Sequence, residues 1–387
     1  MTHLARSRGL PLDISIERWG PASFLVTNED EKNFVRLLDV ALSCSHRWHS
    51  LYIEDSTFLP LTLKKINGWV FPLLRRVSLQ RQLCADTRLF NDLFDPEFLQ
   101  PKYVPGLELI WISTPGFHRK YCFVHSKICR TLSLRGSSEN LHVPSSLISF
   151  PALESLDFYL PNPRPFLEGI VVPNLKHLKY TQCGKCSYPV FSQPAKFKNV
   201  QHLVFDFISR FDSKLSLEEA ITICTACPAV RHVELSTSLV PQIFGAGRLE
   251  DGSCLADQWM HLEHLTVMIF DKDGVPGVLV QWLKQRRFQG RLPLRVTFTQ
   301  YRSSLLFWLP TLRESLLELQ GVRLEINVRL GDKIDCLLVC TLCTNTMSTF
   351  TYLFTYKDPT LESRQLSIIN EFQALGHIVQ QGRTKFE

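Results

Sequence analysis

Phe150-Pro151-Ala152-Leu153-Glu154-Ser155-Leu156-Asp157-Phe158 is answered by Val172-Pro173-Asn174-Leu175-Lys176-His177-Leu178-Lys179-Tyr180. The same phrase returns as Lys198-Asn199-Val200-Gln201-His202-Leu203-Val204-Phe205, as Cys227-Pro228-Ala229-Val230-Arg231-His232-Val233-Glu234-Leu235, and as Met260-His261-Leu262-Glu263-His264-Leu265-Thr266-Val267. Each reads apolar-x-x-apolar-x-apolar. The first apolar residues stand at 153, 175, 200, 230 and 262, so the steps are 22, 25, 30 and 32 residues. The closing x-apolar-x-apolar has the period of two that a strand needs to bury one face. A strand repeated every few tens of residues predicts parallel β-α or β-loop units.

A period near 20–29 residues with this phrase is the leucine-rich-repeat pattern, stretched here by irregular units. The chain of 387 residues is 45% hydrophobic and 11% aromatic, enough for a long stacked core and too apolar for global disorder. Its net charge of +6 is spread among acids, without a run of five basic residues. That distribution argues against a nucleic-acid partner. The amino terminus lacks the apolar stretch of a secretory signal. None of the eleven asparagines begins an Asn-x-Ser/Thr acceptor. Twelve cysteines in such a chain predict free thiols and an intracellular site, cytoplasmic or nuclear. The most apolar stretch, residues 334–354, is broken by Asp335, Asn345 and many hydroxyl residues, so no membrane span is predicted.

Outward from the repeats, Pro11 to Ile16 alternates like a strand, and Phe34, Leu37, Leu38, Ala41 and Leu42 fall at helical spacing. Strands are predicted again in Arg47–Ile53 and Phe71–Leu79, and more weakly in Pro105–Ile112 and Cys129–Leu134. Ser216 with Glu219 forms a capping box, with Leu217, Ala220, Ile221 and Cys224 as the apolar face of a helix closed by Pro228. Further helices are predicted between residues 276 and 290 and over 305–319, and a last alternating strand over 322–328. These readings predict an irregular leucine-rich array over 1–330 and a divergent tail or cap over 331–387. The expected fold is a curved α/β solenoid with a parallel concave sheet.

His177, His202, His232 and His264 occupy one repeat position, and equivalent positions in a parallel sheet lie about 4.8 Å apart. Two residues on come Lys179, Val204, Glu234 and Thr266, then Thr181, Asp206, Ser236 and Met268. With Ser155, Asp157 and Tyr159 these residues define the expected partner-binding face. Repeat duplication alone also places His at a half-exposed strand position. No metal site is predicted, because four separate backbones would have to aim nitrogens at one ion. Of the three Cys-x-x-Cys pairs, 183/186 reads as a loop, and 224/227 straddles a helix end with Cys227 as a small hydrophobe; 340/343 is the third. Asp271 to Gly274 is a turn. No phosphate-binding loop, nucleophile elbow, H-E-x-x-H or dinucleotide fingerprint occurs, so neither an enzyme nor a cofactor is expected.

Leu4-Ala5-Arg6-Ser7 with Leu10 to Ile16, Ser45-His46-Arg47-Trp48 with Ser50-Leu51, and Phe71-Pro72-Leu73-Leu74-Arg75 resemble landmarks of the leucine-rich region of fungal, mushroom-type F-box proteins. The resemblance runs from about residue 4 to 330 and rests on the order of degenerate phrases. It implies a substrate-recognition protein of a cullin ubiquitin ligase, whose F-box docks on a Skp-type adaptor while the repeats select a protein substrate. The chain opens where that family's F-box normally ends, which is the expectation of a missing F-box. Phe34 to Trp48 faintly resembles the last F-box helix and aligns better with the first repeat helix. The rival expectation is a stand-alone repeat protein or decoy that binds partners without recruiting a ligase.

Overall fold

The computed structural model describes residues 9–17, 27–54, 58–80, 97–113, 125–135, 147–160, 163–182, 196–207, 215–246, 253–270, 277–288, 294–301, 323–330, 333–341 and 349–353. The chain forms an α/β protein of two compact units, Met1–Pro189 and Val190–Glu387.

In the first unit β1 (Leu12–Ile16), β2 (Trp48–Glu54), β3 (Arg76–Gln80), β4 (Leu109–Ser113), β5 (Thr131–Arg135), β7 (Ser155–Tyr159) and β9 (His177–Gln182) pair in that order, all parallel. The two-residue strands β6 (Ile148–Ser149) and β8 (Ile170–Val171) make a separate parallel pair. Among the described residues three helices lie in the connections: α1 (Asn28–Leu42), α2 (Leu59–Ile66) and α3 (Arg164–Glu168). α1 starts at Thr27, whose hydroxyl accepts from the Asp30 amide while the Asp30 carboxylate accepts from the Thr27 amide.

In the second unit β10 (His202–Phe207), β11 (His232–Ser236), β12 (His264–Phe270), β13 (Arg295–Tyr301) and β14 (Arg323–Leu330) are parallel. α4 (Leu217–Ala226) and α5 (Gly277–Phe288) lie between strands. β15 (Lys333–Thr341) and β16 (Thr349–Leu353) then extend the sheet antiparallel, so the sequence after residue 331 contributes two strands. α4 carries the expected capping box, Ser216 with Glu219. Its buried side chains are Glu219, Ala220, Ile223, Cys224 and Ala226; Ala220 and Cys224 pack as the sequence predicts, whereas Leu217 is exposed and Ile221 half-buried. The helix predicted over 305–319 and the Asp271–Gly274 turn lie outside the described residues.

Each repeat phrase makes one construction. Its first apolar residue is buried at Leu74, Leu107, Leu153, Leu175, Val200, Val230 and Leu262. The apolar residue three places earlier is buried too, at Phe71, Val104, Phe150, Val172, Phe197, Cys227 and Trp259. At five of these sites the later amide donates to the earlier carbonyl, as Leu153 does to Phe150 and Val200 to Phe197. A turn thus drops two apolar anchors into the core before each strand. The strand then alternates. One side is the core, with rows such as Val77, Ile110, Leu132, Leu156 and Leu178 in the first unit and Leu203, Val233, Leu265 and Val296 in the second. The other side is called the open face below.

Candidate functional site

The register decides which open-face residues are neighbours. In the first unit Ser50, Arg76, Leu109, Thr131, Ser155 and His177 form one row. Tyr52, Ser78, Trp111, Ser133, Asp157 and Lys179 form the next. Gln80, Ser113, Arg135 and Tyr159 form a third. Ser155, Asp157, Tyr159 and Lys179 are half-buried and His177 is exposed, so the face predicted from the sequence is reached by solvent there.

Around Asp157 the sheet gathers a cluster that the sequence reading missed. The Arg135 guanidinium lies 5.1 Å from the Trp111 ring centroid and 3.7 Å from Asp157 Oδ2. The Ser133 hydroxyl donates to the same oxygen at 3.3 Å. Trp111 Nε1, Arg135 Nε and Asp157 Oδ1 are buried atoms without a hydrogen-bond partner. Trp111 and Arg135 fall on the alternating period, but nothing in a single strand tells that they meet.

In the second unit the first row is His202, His232, His264, Arg295 and Arg323, and the next is Val204, Glu234, Thr266, Thr297 and Glu325. Three of the four predicted histidines therefore stand side by side. Their rings stack: His202 on His232 with centroids 4.1 Å apart and planes 6° apart, and His232 on His264 at 4.1 Å and 16°. Each ring addresses the next strand diagonally. His202 Nε2 is 3.1 Å from Glu234 Oε1, His232 Nε2 is 3.1 Å from Thr266 Oγ1, and His264 Nε2 is 2.7 Å from Thr297 Oγ1. His232 Nε2 also lies 3.6 Å from Glu234 Oε1. Burial of the His232 ring, with His202 and His264 on its flanks, lowers its pKa to about 4, against the pull of Glu234. The ring is accordingly neutral at pH 7.

Not every residue of the expected solvent-facing surface reaches solvent. Thr266 is buried, as are Thr181 in the first unit and Ser236 and Met268 here. Val204 is half-buried and the side chain of Asp206 lies outside the described residues. The row also runs further than the phrase did, since Arg295 and Arg323 continue it where the histidine is replaced. The signal was there in Leu294-Arg295-Val296-Thr297-Phe298, an alternation without the preceding apolar-x-x turn.

Cys224 and Cys227 are both buried, and burial raises both thiols. Cys227 fills the anchor position that Phe150 and Val172 fill elsewhere, as its place in the phrase predicts. Cys183 and Cys186 lie outside the described residues, and Cys340 is placed only as a residue of β15. Among the described residues no helix is long and apolar enough to cross a membrane. Comparison of the chain with protein-family models, with curated proteins and with solved structures finds no match.

Proposed function

We propose that the chain is a protein-binding leucine-rich solenoid whose open, concave sheet face selects a protein partner, and that it serves as an F-box-type substrate receptor of a cullin ubiquitin ligase. The observation that carries the scaffold reading is the repeated phrase laid out as in-register parallel strands. That layout turns scattered residues into continuous polar rows. Ser155, Asp157, Tyr159, His177 and Lys179 on one unit, with His202, Glu234 and His264 on the other, offer donors, acceptors and ring faces, and Val204 offers an apolar contact. The ligase assignment comes from the resemblance in residues 4–330.

Co-purification of the tagged full chain from cells of a mushroom-forming fungus tests the assignment. Retention of a Skp-type adaptor and a cullin supports the receptor. Their absence beside other enriched proteins leaves the stand-alone scaffold, and the absence of any partner removes both.

A further inference from the structure

We propose that His202, His232 and Glu234 form a binding site for one divalent transition-metal ion of the zinc class. The inference is independent of whether the open face binds a protein. Among the described residues these three form the only group of metal-ligating side chains with mutually close donor atoms, all within 4.8 Å of one another.

Tetrahedral zinc with bonds of about 2.0–2.1 Å separates its ligand atoms by about 3.3 Å. The two measured edges, His202 Nε2 to Glu234 Oε1 at 3.1 Å and His232 Nε2 to Glu234 Oε1 at 3.6 Å, bracket that value. Two imidazoles and one carboxylate make a donor set that suits zinc, copper or nickel rather than calcium. Glu234 supplies the negative charge, and one coordination position stays open for water or an incoming side chain.

One rearrangement is required. With the two rings 6° from parallel, their in-plane lone pairs run side by side and do not meet at a point. Turning both rings about their Cβ–Cγ bonds brings the lone pairs together. That turn unstacks His202 from His232 and releases Thr266 from His232. Both side chains are about a quarter exposed, which leaves room for it. Arg295, also in the row, opposes a second cation and favours a single ion.

Cobalt(II) titration of the purified full chain tests the site, because its thiolate complexes absorb strongly in the near ultraviolet and nitrogen–oxygen complexes do not. The expected result is one equivalent bound with weak visible bands only, displaced by zinc. His232→Gln and Glu234→Gln should each weaken binding at least tenfold, since even outer-shell partners cost about 10–100-fold. His261→Gln, at the exposed turn before β12, should change nothing. If a ligand variant fails to fold, proton NMR of the wild type decides: cobalt must shift the His202 and His232 ring resonances. Thiolate bands alone, binding unaltered by the ligand variants, unshifted ring resonances, or no binding at millimolar cobalt would each overturn the proposal.

Discussion

At the residue scale, His232 shows how a sheet converts a repeat position into a chemical property. The His202 and His264 rings flank it, Glu234 stands two residues on in its own strand, and Arg295 adds a further positive field. An unfolded histidine titrates near 6.5. Above that value the ring is neutral in both states, and its contribution to stability is independent of pH. Between 6.5 and about 4 the unfolded chain takes up a proton that the folded chain refuses, so stability falls with acidification, by at most ~1.4 kcal/mol per pH unit. Denaturant midpoints at pH 7 and pH 5 should therefore drop more for the wild type than for His232→Gln. An equal drop in both would place the proton elsewhere. The row itself was legible, because a residue type recurring at one phrase position needs only the period to align it. The depressed pKa was legible only in part: burial of the ring, its largest cause, is not marked in the phrase, the repulsion between neighbouring rings follows from the row, and Arg295 lies outside the histidine pattern. The buried thiols make a second test at this scale. Cys224 and Cys227 are raised by burial, so both should resist alkylation at pH 8 in the native chain and react on unfolding. Rapid native labelling of either would show that the end of α4 opens.

At the scale of elements, the turn before each strand carries a ladder of alternating charge. Arg75, Glu108, Arg130, Glu154 and Lys176 each follow a first apolar residue, and the carbonyls of the first four accept from the next phrase, as Arg130 does from Glu154 and Glu154 from Lys176. Arg75–Glu108 at 3.6 Å, Arg130–Glu154 at 3.8 Å and Lys176–Glu154 at 3.3 Å are ion pairs, and Arg231–Glu263 at 3.3 Å repeats the device in the second unit. All are solvent-exposed, so each contributes under about 1 kcal/mol. Alternation also penalises the wrong neighbour, since pairing that skips a strand would set Glu108 beside Glu154 or Arg75 beside Arg130. Glu154→Lys aligns three cations and should lower stability by about 1 kcal/mol, an effect that vanishes in molar salt. A loss unaltered by salt would mean that backbone geometry, not charge, is at fault. The ladder was present in the sequence and went unread, because apolar periodicity draws the eye to the residues on either side of it. The α4 cap was read directly, since Ser216 and Glu219 are close in sequence. Ser216→Ala should cost about 1 kcal/mol in thermal or denaturant unfolding. Which face of α4 packs was read only in part: Ala220 and Cys224 are buried as predicted, but Leu217 sits in the first turn, where the local period does not reveal the neighbour.

At the scale of the whole molecule, the parallel sheet architecture follows from the phrase, whereas the two compact units do not. Every phrase looks alike on either side of residue 189, and a boundary in contacts leaves no mark in a pattern of anchors and strands. In a stacked array each repeat interacts mainly with its neighbours, so damage stays local when the coupling between repeats is weaker than the stability of each group. Leu235, fully buried in β11, gives a clean probe. Leu235→Ala removes core volume and should cost about 2–5 kcal/mol at its own site. If the two units unfold separately, native-state hydrogen exchange in this variant should accelerate in β10 to β13, while amides of β3 to β5 keep their wild-type protection. Uniform acceleration across both sets of strands would instead mean that the chain opens as one cooperative body.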